Sequence, residues 1–301
     1  TLFRSLGSNT VRAVKYDCNT GKKIAVFEKI VKAADKTHQN NTINEEAKGR
    51  IFGAISELKE KLGADECTTV ATAVYRKAKN GSEILKEIED KFGIATKVIN
   101  GETEALLTAL AVENALKQKG IPSDSFVLID IGGGSTEVIF KKNDKMIVES
   151  FDIGIISTAQ KYPSRDMLEH GVKKDAAALK EFIKDTMYAF LKPQIFCATA
   201  GTPTTLAAIK MGMEYSTYNG EAVNGQTITQ SDVDKIFTKL LKISEGERSK
   251  LVGLGREDLI IAGILIYKEI FEATGFNDCT VFDDGLREGL AIAVCKKINI
   301  F

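Results

Sequence analysis

Residues 130–137, Asp130-Ile131-Gly132-Gly133-Gly134-Ser135-Thr136-Glu137, are the stretch of the chain best suited to chemistry. An apolar run from Phe126 to Ile131 reads as a strand that leads straight into three consecutive glycines. Without Cβ atoms, such a turn lets backbone N–H groups converge on one ligand at hydrogen-bond distance. Ser135 and Thr136 add hydroxyl donors. Gly132, Gly133, Gly134 and Ser135 therefore form a candidate anion cradle, with phosphate as the expected anion. Asp130 and Glu137 bracket the turn, so both carboxylates could face one Mg²⁺ or another hard divalent cation. The plainer reading is a glycine-rich hairpin with solvated carboxylates at its ends.

A weaker version of the same pattern is Gly7-Ser8-Asn9-Thr10. Alone it reads equally well as a tight turn or as a phosphate loop. Residues 5–12 can be laid over residues 130–137, each a small-residue turn followed by a strand. That echo makes Ser8, Asn9 and Thr10 phosphate-binding candidates and suggests two similar domains with matching hairpins. Arg12 lies further along the following strand and is expected to face away from the ligand. A third loop, Ala198-Thr199-Ala200-Gly201-Thr202-Pro203-Thr204-Thr205, leads into a helix. Thr202 is suited to cap that helix and Pro203 to its first turn. A helix N-terminus attracts anions, although a structural cap explains these residues equally well. None of the three loops has the glycine–lysine spacing of a P-loop.

Hydrolysis needs a base that takes a proton from water. The only histidines are His38 and His170, and neither sits in a promising loop. A carboxylate is the better candidate. Asn100-Gly101-Glu102-Thr103-Glu104 follows a predicted strand and opens a helix, which offers Glu102 or Glu104. Acidic residues in a first helical turn are also what the helix dipole alone favours. Arg76 follows a short apolar run and could grip phosphate in fork geometry, or be a surface charge.

These candidates need elements to hold them. Strands are expected at 11–15 and 24–31, with Asn19-Thr20-Gly21 turning between them. Ile51, Ile55, Leu58 and Leu62 recur at helical spacing and predict a helix over 45–62, stopped by Gly63. A strand over 68–74, a helix from Asn80 to Phe92, a strand over 95–99 and a helix over 102–117 follow. After a linker-like stretch, Gly120 to Ser125, come strands at 126–131 and 136–140. Helices are expected near 173–191, 202–211, 231–243, 257–274 and 286–297, with strands at 195–198 and 279–283. Alternation of this kind means an α/β architecture with a substantial parallel component. It predicts one domain over 1–120 and another over 121–301, with the C-terminal helix free to join the first.

Lys and Arg total 41, as do Asp and Glu, so no overall charge selects DNA, RNA or membrane as a partner. No apolar run approaches the roughly 18 residues of a membrane span. The five cysteines are odd in number and form no C-x-x-C pair. That argues against a disulfide framework or a cysteine zinc site and fits a reducing cytoplasm. The chain has no signal-peptide pattern, and the missing Met indicates that the gene product begins earlier.

Taken together, these residues resemble the exopolyphosphatase / guanosine pentaphosphate phosphohydrolase (Ppx/GppA) family over nearly the whole chain. Residues 130–137 and 7–12 carry the likeness best. Thr72-Ala73-Val74-Tyr75-Arg76-Lys77-Ala78-Lys79-Asn80-Gly81, Ile99 to Ala105, Arg256-Glu257-Asp258 to Gly263 and Gly285-Leu286-Arg287-Glu288-Gly289 add to it. The resemblance implies two actin-like domains (acetate/sugar kinase–Hsp70–actin type, ribonuclease H-like) around an interdomain cleft. It implies a phosphohydrolase that releases the terminal phosphate of polyphosphate or of a guanosine polyphosphate such as pppGpp. Glu104 would activate water, and Ser8, Asn9, Thr10, Arg76 and the 132–135 loop would hold phosphates. Asp130 and Glu137 would position Mg²⁺.

The sequence departs from the family at Ser5, where an Asp is usual, and at Thr103, where an acidic residue is common. The first departure motivates an alternative, a polyphosphate or guanosine-phosphate sensor with weakened catalysis. An actin-like kinase is a further alternative. The chain also stops after the two-domain core, whereas longer members carry an extra helical region. The apolar helix near 257–274 is expected to pack either internally or across a homodimer.

Overall fold

The computed structural model describes residues 1–63, 67–189 and 193–300. Its contacts divide the chain into two units, Thr1–Ala111 with Gly285–Phe301, and Val112–Asp284. The boundary thus falls inside a helix rather than at residue 120, and the C-terminal segment belongs to the first unit.

The first unit opens with β1 (Leu2–Leu6), β2 (Thr10–Asp17) and β3 (Lys22–Ile30). It continues with α1 (Thr37–Asn40), α2 (Glu45–Leu62), β4 (Cys67–Ala71), α3 (Ala73–Lys77), α4 (Gly81–Phe92), β5 (Lys97–Val98) and α5 (Gly101–Gln118). Its sheet runs β3-β2-β1-β4-β5, antiparallel among the first three strands and parallel from β1 through β4 to β5. Helix α2 forms where its periodicity predicts. Asn44 Oδ1 accepts from the Ala47 N–H at 2.8 Å, and Ala47, Ile51, Ala54, Ile55, Leu58 and Leu62 form the buried stripe. Strand β1 is absent from the predicted set because all five of its residues are buried, so it lacks the alternation of a half-exposed strand. The predicted strand over 68–74 ends early, at Ala71. Residues 73–75 are apolar and buried but helical, and a run that short has no readable period.

In the second unit come β6 (Ser125–Ile131), β7 (Thr136–Lys142), β8 (Lys145–Phe151), α6 (Ile155–Lys161), α7 (Arg165–Asp175), α8 (Ala177–Ala189), β9 (Ile195–Thr199) and α9 (Gly201–Lys210). After a 3-10 turn at Tyr215–Thr217 follow α10 (Gly220–Val223), β10 (Gln226–Thr229), α11 (Gln230–Lys242), α12 (Glu245–Val252), α13 (Leu259–Thr274) and β11 (Asp278–Val281). The sheet order is β8-β7-β6-β9-β11-β10. The helix predicted near 173–191 is two helices. Ser164 caps α7, and a break at Ala176 separates it from α8. The core of the sheet's helical cover is aromatic: Phe196 meets Phe271 edge-on at 5.1 Å and Tyr267 at 6.2 Å.

In both units an antiparallel three-strand meander is followed by strands parallel to its first member, with β10 added antiparallel at the edge of the second sheet. This is the ribonuclease H-like arrangement of actin-like domains. The closing helix α14 (Leu286–Cys295) returns to the first unit and packs on β1 and β2. There Cys295 is disulfide-bonded to Cys18, with Cα atoms 5.1 Å apart. This corrects the expectation from cysteine parity: an odd total of five still leaves room for one bridge, and partners separated by 277 positions give no spacing signal. Among the described residues no helix is long and apolar enough to cross a membrane.

Candidate functional site

Pairing registers establish the internal echo in space. In the first unit Ser5 faces Arg12 and Leu6 faces Val11; in the second, Asp130 faces Glu137 and Ile131 faces Thr136. Each hairpin closes the same way, by a Gly7 N–H to Thr10 O bond and a Gly132 N–H to Ser135 O bond, both 2.9 Å. In each, the segment after the third strand is tied to the loop carbonyls. Val31 and Lys32 donate to Asn9 O; Ile155 donates to Gly132 O and Ile156 to Gly133 O.

In the second-unit loop the N–H groups of Gly133 and Gly134 donate to no described residue, and the same holds for Ser8 and Asn9 in the first-unit loop. Converging, unused backbone donors are what an anion nest requires. Asn9 adds a side chain that is 9% exposed and whose Oδ1 has no partner. An amide can present either its oxygen or its NH₂ there. Ser135 is buried beside the turn. Thr136 is not a ligand donor: its Oγ1 donates to Ile153 O at 2.5 Å and anchors the segment that follows β8. Gly154 lets that segment come close, since a Cβ there would lie 2.6 Å from the Gly133 carbonyl and from Gly134 C.

Asp130 and Glu137 are direct cross-strand partners, so their side chains leave the same face of the sheet. Glu137 is 2% exposed and accepts from Ser150 Oγ at 2.8 Å. Thr199 completes this row beside Asp130, its Oγ1 donating to Asp284 O. The corresponding row in the first unit is Val70, Ser5, Arg12 and Glu28. Here the guanidinium of Arg12 meets Glu28 through Nε at 3.1 Å and Nη2 at 3.3 Å. Ser5, 5% exposed, holds the place that Asp130 holds in the other unit.

Arg76 and Glu104 are brought together in the first unit. Arg76, in α3 rather than at a strand end, donates from Nη1 to Glu104 Oε2 at 3.2 Å and to Ile99 O at 2.5 Å. Both side chains keep some solvent access, 21% and 14%. Glu104 lies in the first turn of α5, which Asn100 caps through a 2.8 Å bond from the Thr103 N–H. Neighbouring Glu102 is exposed and makes no such contact. Tyr75, next to Arg76, is wholly buried, and burial pushes its hydroxyl well above the ordinary range.

The third loop differs from its expected form. The residue before α9 is Ala200, at φ 71°, and it provides no side-chain cap; Thr202 sits inside the helix, fully buried, with Oγ1 unpartnered. Buried Arg256 lies against the helix start, where a Cβ on Gly201 would overlap its Nη2. Ser150 and Gly154 escaped sequence reasoning, and Arg256 entered it only as part of the family likeness, with no role assigned. Ser150 belongs to a mixed polar strand, and Gly154 gives no local signal beyond its residue type.

The model of the Ppx/GppA phosphatase family matches residues 19–297. Exopolyphosphatase 2 of Mycobacterium tuberculosis is 23% identical, with 96% of each chain aligned. The solved structure of a Ppx/GppA family member from Aquifex aeolicus is 27% identical with a TM-score of 0.72, covering 99% of this chain and 98% of that one. An exopolyphosphatase structure from Cytophaga hutchinsonii, 19% identical and with a TM-score of 0.85 over 99% and 98% of the chains, shares the fold.

Proposed function

The chain belongs to the Ppx/GppA phosphatase family, and on that premise we propose that it hydrolyses the terminal phosphoanhydride of inorganic polyphosphate, of pppGpp, or of both. The observation that carries this reading is the Arg76–Glu104 pair at the head of α5. It joins a carboxylate able to accept a proton from water to a guanidinium able to hold a phosphate oxygen.

In the proposed reaction Glu104 orients a water molecule and takes its proton as the water oxygen bonds to the terminal phosphorus. The P–O bond to the bridging oxygen breaks, and that oxygen leaves with the bond pair on the shortened chain. Arg76 has Nε and Nη2 unengaged among the described residues, so phosphate can be gripped without giving up Glu104. In the first unit the N–H groups of Ser8 and Asn9, with the Thr10 hydroxyl, offer further phosphate donors; in the second, the N–H groups of Gly133 and Gly134 with the Ser135 hydroxyl form a like set. Catalysis of this kind rests on positioning and on balancing phosphate charge.

A divalent cation fits Asp130 and Glu137. Their carboxylates share a sheet face at adjacent positions, close enough for both to reach one hard cation. No group of three or more His, Cys, Asp or Glu that could hold a metal occurs among the described residues. Among the described residues, then, Asp130 and Glu137 would be the carboxylate ligands, a set that Mg²⁺, an ion commonly shared with substrate phosphates and water, can accept. Held there, it would neutralise charge on a phosphate group bound at the second-unit loop. Chelation with EDTA is expected to abolish turnover, and restoring Mg²⁺ to recover it; turnover unchanged by EDTA contradicts the assignment.

Ser5 favours a second reading, a phosphate-chain sensor with slow turnover, because the first-unit row lacks the carboxylate that Asp130 gives the second. Incubation with polyphosphate or pppGpp and Mg²⁺ separates the two. Orthophosphate release supports the hydrolase. Thermal stabilisation by either compound with background release supports the sensor, and Ser5→Asp is then expected to gain activity.

A further inference from the structure

We infer that Gly289 is a positioning residue, through which the C-terminal helix α14 sets the placement of Glu104. The inference rests on the hydrolase reading for the role of Glu104, and on geometry for everything else. Leu107 lies one turn beyond Glu104 on α5 and is fully buried. A Cβ on Gly289 would stand 1.8 Å from the Leu107 carbonyl oxygen, 2.5 Å from its carbon and 3.1 Å from its Cα. All three are backbone atoms of α5, so no side chain can swing aside to make room.

Nor is α14 free to retreat. Its first turn is fixed where Glu288, 2% exposed, accepts from the Gly285 N–H at 3.0 Å and from Arg287. Its last residue is bonded to Cys18 beyond the end of β2. Between these anchors, Leu290, Ala291, Ile292 and Ala293 pack with Leu107 and Phe3 in one core. A methyl group at residue 289 must therefore move α5. The first turn of α5 is tied to the contact by Thr108, whose Oγ1 donates to Glu104 O at 2.9 Å. Displacement of a general base by about 1 Å is enough to cost roughly 100-fold in rate.

The experiment uses the full chain with Gly289→Ala, and Gly171→Ala as a control. The control introduces an overlap in the second unit, with the Tyr162 ring rather than with backbone. Amide hydrogen exchange reads the positioning without reference to activity. Faster exchange over residues 101–108 in Gly289→Ala, with α2 unchanged, is expected; unchanged exchange over 101–108 overturns the inference. On polyphosphate, kcat is expected to fall about 10- to 100-fold with KM within about threefold. The control is expected to keep kcat, and equal losses in both variants overturn the inference. Absence of release by the wild type would refute the hydrolase reading while leaving the exchange result to decide the positioning. If Gly289→Ala does not fold, Cys18→Ser loosens the far anchor instead. Selectively faster exchange at 101–108 then supports the inference, and exchange no faster there than in α2 overturns it.

Discussion

Glu104 and Arg76 are 28 positions apart in the chain and 3.2 Å apart in space. Glu104→Gln keeps the size and hydrogen-bonding reach of the side chain while removing its basicity. It is expected to lower kcat by about 10²–10⁴-fold with little change in KM, as measured by phosphate release; wild-type turnover would exclude Glu104 as the base. Arg76→Lys keeps the charge but loses the planar fork, so KM is expected to rise about tenfold; an unchanged KM would place phosphate elsewhere. The choice between Glu102 and Glu104 is open in residue physics, because a helix dipole welcomes both. The family likeness points to Glu104, and the structure places Glu104, and not Glu102, against Arg76. The Thr136 hydroxyl was misread for the opposite reason: a residue next to a glycine loop looks available, whereas the chain that follows the third strand uses it as an anchor.

At the scale of elements, periodicity was legible wherever one face is buried. Helices α2 and α4 have clean stripes and glycine stops, and both lie where predicted. Strand β1 is buried along its whole length and helix α3 is only five residues long, so neither shows the period that would identify it. The two hairpin loops were legible as an echo because glycine and small polar residues recur at matching offsets. Their bracing by the segment after the third strand is a tertiary contact with no local pattern. Gly154→Ala tests that bracing. It is expected to destabilise the second unit by about 1–3 kcal/mol and to weaken phosphate binding; full stability would show that the loop can yield. The start of α11 gives a pH prediction. Burial alone would raise the Asp232 carboxyl, yet hydrogen bonds from Lys210 and Thr229 outweigh it and hold the group at about 2. Its folded value is depressed, so this stabilisation is complete above pH ~4 and lost as pH falls through about 2. Asp232→Asn is expected to flatten the acid limb of the melting-temperature profile; an identical limb would contradict it.

Across the whole molecule, the repeated α/β topology was legible as a repeat, and the membership of α14 in the first unit was left open by the sequence. Helix α14 returns across nearly the full chain length to pack on β1, so only the fold reveals that its bridge to Cys18 exists. Closing so long a loop restricts the unfolded chain strongly. Cys295→Ser is expected to lower stability by roughly 2–4 kcal/mol in denaturant titration under non-reducing conditions; an equal midpoint would show the bridge does not form in solution. The central claim is that water, oriented by Glu104, attacks a terminal phosphate. The most direct measurement is turnover of polyphosphate with Mg²⁺ in ¹⁸O-labelled water, followed by mass analysis of the released orthophosphate. One ¹⁸O atom per phosphate, with release lost in Glu104→Gln, is the predicted result. No labelled phosphate, or equal labelling by Glu104→Gln and wild type, would contradict it.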